Sequence, residues 1–184
     1  MASPTTDSAS QQNAGSQAGS TQSGWLETTP GERFRVQTSS IDTGGAYLVM
    51  EVEADPRMGV PLHLHLNEEE HFIVVDGTLQ ISIAGETKDF KAGRSITVAK
   101  GVPHAWCNLT DAVARFIVIF TPGRIEGMFR AVAEKKVDDV EAFAGLYGTR
   151  IIGRAMQPDL NTYFRPRRKP GMLPRSGVDQ DGQT

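Results

Sequence analysis

Residues 61–83 read PLHLHLNEEEHFIVVDGTLQISI. The chain has four histidines in 184 residues, and three of them, His63, His65 and His71, fall in this stretch beside Glu68, Glu69 and Glu70. His63 and His65 are two apart, so on a strand both imidazoles share one face. Glu70 follows after a gap long enough for a short turn, and "HFIVV" then re-enters a strand. The fourth histidine, His104, lies in "GRSITVAKGVPHAWCN", where it begins a strand after a Gly101/Pro103 turn. Neutral imidazole and carboxylate suit iron, manganese, nickel, copper or zinc. Three histidines and one carboxylate hold one divalent transition metal and leave positions open for substrate and oxygen.

The surrounding pattern is a strand pattern from Glu32 to Thr121. "AYLVMEV" alternates Ala46, Leu48, Met50 and Val52 against Tyr47, Val49 and Glu51. "TLQISIA" alternates Leu79, Ile81 and Ile83 against Gln80, Ser82 and Ala84, and "RSITVA" sets Ile96 and Val98 on one face. "VARFIVIFT" is apolar on nearly both faces, as a buried strand would be. Turn formers separate these runs: Thr43-Gly44-Gly45, Asp76-Gly77, Ala84-Gly85-Glu86, Ala92-Gly93 and Asn108 to Asp111. Short strands, close turns and no intervening helix predict an all-β sandwich or barrel.

After Pro122-Gly123 the period changes. Met128, Phe129, Val132 and Ala133 share one helical face, and Val140, Phe143, Ala144 and Tyr147 share another. Two short helices are expected, the second capped by Asp138 or Asp139. The periodicity fades beyond Ile151-Ile152, and "NTYF" reads as a last strand or an arm.

Two motifs in order resemble the cupin superfamily. His63, His65, Glu70 and Gly77 keep the intervals of its first motif, although Arg57 stands where that motif opens with glycine. Gly93, Gly101, His104 and Asn108 keep every interval of the second, with Ala99 at the proline position. The resemblance runs from about Gly45 to Thr121. It implies a double-stranded β-helix, or jelly-roll barrel, in an all-β protein. The layout is 1–24 a disordered tail, 25–122 the barrel, 123–163 a helical extension and arm, and 164–184 a basic Pro/Gly-rich tail. It also implies that His63, His65, Glu70 and His104 are the metal ligands. If His104 and Glu70 point inward, so do Trp106 and Phe72, which become the candidate aromatic walls of the substrate pocket. His71 faces the other way and reads as structural, Glu68 and Glu69 as loop carboxylates, and Cys107 as a packed thiol.

The layout resembles the quercetinase-like monocupins. That implies a dioxygenase acting on a flavonol or another phenolic or enolisable molecule. Glu70 is then both ligand and the catalytic base that takes a hydroxyl proton. The alternatives are a metal-dependent isomerase or decarboxylase, or a non-enzymatic metal- or ligand-binding protein, because a fold does not fix a function. A net charge of −3 and the absence of a long apolar run disfavour nucleic acid and membrane as partners. A lone cysteine, Cys107, excludes an intrachain disulfide and points to a reducing, cytoplasmic setting. Family resemblance adds a homodimer, with the helices and the arm near Asn161 to Phe164 as its expected contact.

Overall fold

A computed structural model describes residues 24–156. The expected arm at 161–164, the basic tail and residues 1–23 lie outside the described residues. Eleven strands and two helices follow one another in the order β1 (Leu26–Thr29), β2 (Glu32–Thr38), β3 (Leu48–Ala54), β4 (Pro61–His65), β5 (Glu69–Asp76), β6 (Thr78–Ile83), β7 (Glu86–Lys91), β8 (Ser95–Val98), β9 (His104–Cys107), β10 (Ala114–Thr121), α1 (Glu126–Ala133), α2 (Val140–Leu146) and β11 (Thr149–Ala155). They form two facing antiparallel sheets, ordered β1-β2-β3-β10-β5-β8 and β11-β4-β9-β6-β7. This is the two-sheet jelly roll that the alternation predicts. No helix among the described residues is long and apolar enough to cross a membrane.

The alternation decides which side chains fill the interior. On β3, Leu48, Met50 and Val52 are buried, and on β10 Phe116, Val118 and Phe120 are buried opposite them. Ile117 and Ile119 face outward and are only half-buried, so β10 has one packed face rather than the two that its composition suggests. Glu51 lies on that outer side, held by Arg35 and Gln37 of β2. Asp76-Gly77 is a corner between sheets, because β5 belongs to the first and β6 to the second. Gly77 takes φ +77°, and a Cβ there would come within 3.2 Å of the Ala114 Cα. Both the conformation and the close approach favour glycine.

The two helices form where the period changes. Asp139 is the observed cap of α2, its side chain accepting the Ala142 N–H at 2.9 Å. The amphipathic face of α1 does not wait for a second subunit: Phe129 packs at 5.8 Å from Phe34 and 5.4 Å from Phe120, on the barrel itself. Buried Glu126 pins the start of α1 to the loop after β2, accepting from the Ser39 hydroxyl and from the Ser40 amide and hydroxyl. Gly123 lets the chain turn into this helix. A Cβ at that position would sit 2.5 Å from the Tyr47 carbonyl carbon.

Candidate metal centre

The histidines and the glutamate arrive from opposite sheets. β4 presents His63 and His65 from one face, and β9 places His104 directly beside His63 in register. Glu70 comes from β5 in the facing sheet, paired with Phe120 of β10. Each of the four offers a ligand atom, and these atoms all lie within 4.8 Å of one another. The imidazole centroids are 4.3 Å apart for His63–His104, 5.0 Å for His63–His65 and 5.4 Å for His65–His104.

The second layer of bonds sets the tautomers. His63 Nδ1 lies 2.7 Å from the Pro61 carbonyl oxygen, and His104 Nδ1 lies 2.9 Å from that of Val102. A carbonyl only accepts, so both Nδ1 atoms carry the proton and donate. In the neutral rings each Nε2 then presents a lone pair to the cluster centre. His65 Nδ1 is fixed by the Thr149 hydroxyl at 2.9 Å. Its buried Nε2 has no hydrogen bond, although Glu70 Oε2 is 3.2 Å away. A buried, unpartnered nitrogen is costly unless something accepts its lone pair. His104 Nε2 is 2.7 Å from the same Glu70 oxygen, a contact that needs a cation between or a proton on the ring. This donor set fits a divalent transition metal ion.

The electrostatics agree. Burial opposes the Glu70 carboxylate, yet contacts with His104 and His65 hold it well below the usual range. Burial also opposes the His104 imidazolium, but Glu70 outweighs it and raises its pKa. His63 is pushed down to about 3 by burial and then by the neighbouring His104 and His65. In the metal-free site the Glu70 carboxylate favours the protonated form of His104, so metal uptake competes with that proton.

These shifts set a pH dependence for the metal-free protein. Between about pH 6.5 and 3 the unfolded chain protonates His63 and the folded chain does not, so acidification removes stability. Glu70, with a depressed folded value, acts in the same sense: its contribution is present above its ordinary value and lost as pH falls. His104 has the opposite sign, its share fading as pH rises through its raised folded value. The expected result is a urea midpoint that declines as pH falls from 6.5, and less steeply in His63→Ala. A flat profile would contradict the arrangement.

The site opens into a cavity of about 810 Å³. Its walls include Met50, Val52, Trp106, Phe116, Val118 and Phe120, and Met128, Phe129 and Val132 of α1 cover it. Trp106 lines this cavity as the sequence suggests. Phe72 does not: it is fully buried behind the wall, 6.2 Å from Phe116 and 6.5 Å from His104. Its strand alternation gave the right face but not the depth. His71 points out of the barrel and meets the Thr97 hydroxyl at 2.6 Å. Glu69 opens β5 and is exposed, whereas Glu68 is a loop residue as read but buried. Burial raises the Glu68 carboxyl, and His65 and Lys100 moderate the shift. Cys107 is buried, its thiol pushed up to about 11 by burial and then Asp89.

Three participants were not foreseen from sequence. Thr149 on β11 orients His65, Glu32 with Thr28 forms a polar corner of the cavity, and both helices contribute to its lining. Gly148 before "TRII" was the one local signal for β11: it takes φ +85°, a helix-ending conformation.

The motif departures also have local accounts. Arg57 adopts φ +65°, the left-handed conformation for which glycine is usual, and pairs with Asp111 at 2.6 Å. Asn108 is fully buried and donates to the carbonyls of Ala54, Asp55 and Ala112, closing the loop after β9.

Residues 50–120 match the family described as the cupin domain. The chain is similar to the mannose-1-phosphate guanylyltransferase of Salmonella montevideo, 30% identical over 109 residues, which are 59% of this chain and 21% of that protein. The enzyme of Escherichia coli K12 gives the same identity and coverage. The chain thus spans about a fifth of the length of these curated relatives. Among solved structures, KdgF from Halomonas sp. superposes with a TM-score of 0.52 at 19% identity, over 57% of this chain and 90% of that one. A predicted oxalate decarboxylase from Thermotoga maritima gives 0.50 at 18% identity, over 55% and 92%. At these identities the two structures share the fold.

Proposed function

We propose that the cupin domain at residues 50–120 is the core of a metal-dependent dioxygenase for a small phenolic or enolisable molecule, flavonols being the first class to test. One observation carries this reading. Three imidazoles and Glu70 converge in one cluster, and His63, His65 and Glu70 of that cluster reach the wall of a cavity that also presents Met50, Val52, Trp106, Phe116, Val118 and Phe120. A divalent transition metal held by His63, His65, Glu70 and His104 would supply Lewis acidity and open positions for substrate and dioxygen.

The chain's own residues do the rest. Trp106 and Phe116, whose rings meet edge-to-face at 5.0 Å, give an apolar wall for an aromatic body. Glu70, whose oxygen lies at the imidazole cluster and which lines the cavity, would take the hydroxyl proton of a molecule seated beside it. The Nδ1 bonds to Pro61 and Val102 keep the imidazoles from turning when that proton moves.

The similarity to guanylyltransferases does not bring a sugar phosphate with it. Among the described residues, the cavity wall holds no lysine or arginine, while Glu32, Asp138, Asp139 and Glu141 line it. A phosphate would meet carboxylates where it needs cations.

The test is flavonol turnover by metal-loaded protein, with and without oxygen, in wild type and Glu70→Gln. Wild type is expected to turn over only in oxygen, and Glu70→Gln to lose roughly a hundredfold or more. Full activity without metal would sink the proposal. Turnover that persists anaerobically would move the site to isomerisation or decarboxylation with the same residues.

A further inference from the structure

The cavity holds a carboxyl group that the metal cluster does not use. Glu32 begins β2, next to the turn from β1, and lines the same cavity as His63, His65 and Glu70. Met50, Val52 and Phe116 line the same cavity. One oxygen, Oε2, accepts from the Thr28 hydroxyl, four residues earlier, and Thr28 also faces the cavity. Among the described residues Glu32 forms no salt bridge, and Thr28 is its hydrogen-bond partner. A half-buried carboxyl that faces a cavity, with a hydroxyl and no cation beside it, is available to a ligand that enters that cavity.

We propose that Glu32 is a substrate-recognition residue, the group that hydrogen-bonds a hydroxyl or carbonyl oxygen of a molecule whose other oxygen sits at the His63/His65/Glu70/His104 cluster. The inference rests on the metal-centre reading above. It narrows the substrate to a molecule with polar atoms at two ends and an apolar part between them, since Met50, Val52 and Phe116 line the cavity that holds both polar groups.

Its protonation suits the task. Burial raises the Glu32 carboxyl to about 7, with the Thr28 bond pulling it back and the Glu70 charge adding to the rise. The other titratable groups around the cavity are His63, His65 and Glu70 of the cluster, Asp138 and Asp139 before α2, and Glu141 in its first turn. The raised carboxyl holds its proton more readily than an exposed glutamate, and it can donate to a carbonyl oxygen when protonated or accept from a hydroxyl when ionised.

The experiment uses the whole chain loaded with zinc, which is redox-inert, and 4-nitrocatechol as an absorbing probe with two hydroxyls and a distal polar nitro group. Probe affinity and zinc content are measured in wild type, Glu32→Leu, Glu32→Gln and Thr28→Val. Glu32→Leu is expected to bind the probe roughly tenfold more weakly, and Glu32→Gln, which keeps a donor and an acceptor, to recover most of that loss. Thr28→Val is expected to fall between them, and zinc content to match wild type throughout. Equal probe affinity in wild type and Glu32→Leu would overturn the inference, as would a zinc-loaded wild type that ignores the probe. Should Glu32→Leu fail to fold, an unchanged affinity in Thr28→Val overturns it instead. A wild type that takes up no zinc would sink the metal centre itself, a separate failure.

Discussion

His104→Ala is expected to purify with less than about a tenth of the metal found in wild type. The ring supplies one of four donors, and its Nε2 stands 2.7 Å from Glu70, closer than any other donor to that carboxylate. Removing it does two things at once. A metal ion would lose a ligand held in place by the Val102 carbonyl, and Glu70 would lose its main partner while remaining only 5% exposed. A buried carboxylate stripped of its partner costs about 3–5 kcal/mol, so the metal-free variant should also unfold at lower urea than metal-free wild type. Adding Glu70→Gln to His104→Ala should restore part of that stability, since the charge is gone, but none of the metal. His71→Ala is the control. Its ring lies on the outer face of β5 against Thr97, and its metal content should equal that of wild type. Metal analysis of protein never exposed to chelator or a nickel column, with a denaturation curve for each variant, reads both effects. Metal retained by His104→Ala, or lost by His71→Ala, would refute the ligand assignment.

The contrast between His104 and His71 shows what the sequence could carry. Strand alternation separates the two faces of β5, so Glu70 inside and His71 outside follow from adjacency alone. Interval matching brought His104 into the site from a later strand and set Asn108 four residues on, where it closes the loop after β9. Depth and distant partners were not legible. Thr149 is 84 positions from His65, and nothing in the fading periodicity after Ile151 says that β11 pairs with β4. Glu32 looked like one more charged residue at a strand start, because a carboxylate facing inward breaks the polar-out pattern that alternation relies on. The helices were expected and Asp139 caps the second, but an amphipathic face does not name what it covers. The apolar face of α1 went to Phe34 and Phe120, which brings Phe129 to the cavity lining.

Phe72→Ala is expected to cost about 3–5 kcal/mol of stability while leaving metal content unchanged. Phe72 is fully buried on β5, between Val118 of β10 and Ile96 of β8 in register. Truncating a ring there leaves a void that flanking strands cannot close without breaking their ladders, so the transfer loss and the cavity cost add. The ring touches His104 edge-on at a centroid distance of 6.5 Å, but the orientation of His104 is set by the Val102 carbonyl and Glu70. The metal donors therefore keep their places. Trp106→Ala supplies the comparison. Trp106 faces the cavity and leans on Phe116, so its loss should weaken binding of an aromatic ligand as well as reduce stability. Urea denaturation and probe affinity, measured on both variants, separate the two roles. If Phe72→Ala kept wild-type stability and bound the probe more weakly, Phe72 would belong to the pocket surface after all. The packed wall described here requires the reverse: a large loss of stability with probe affinity nearly intact.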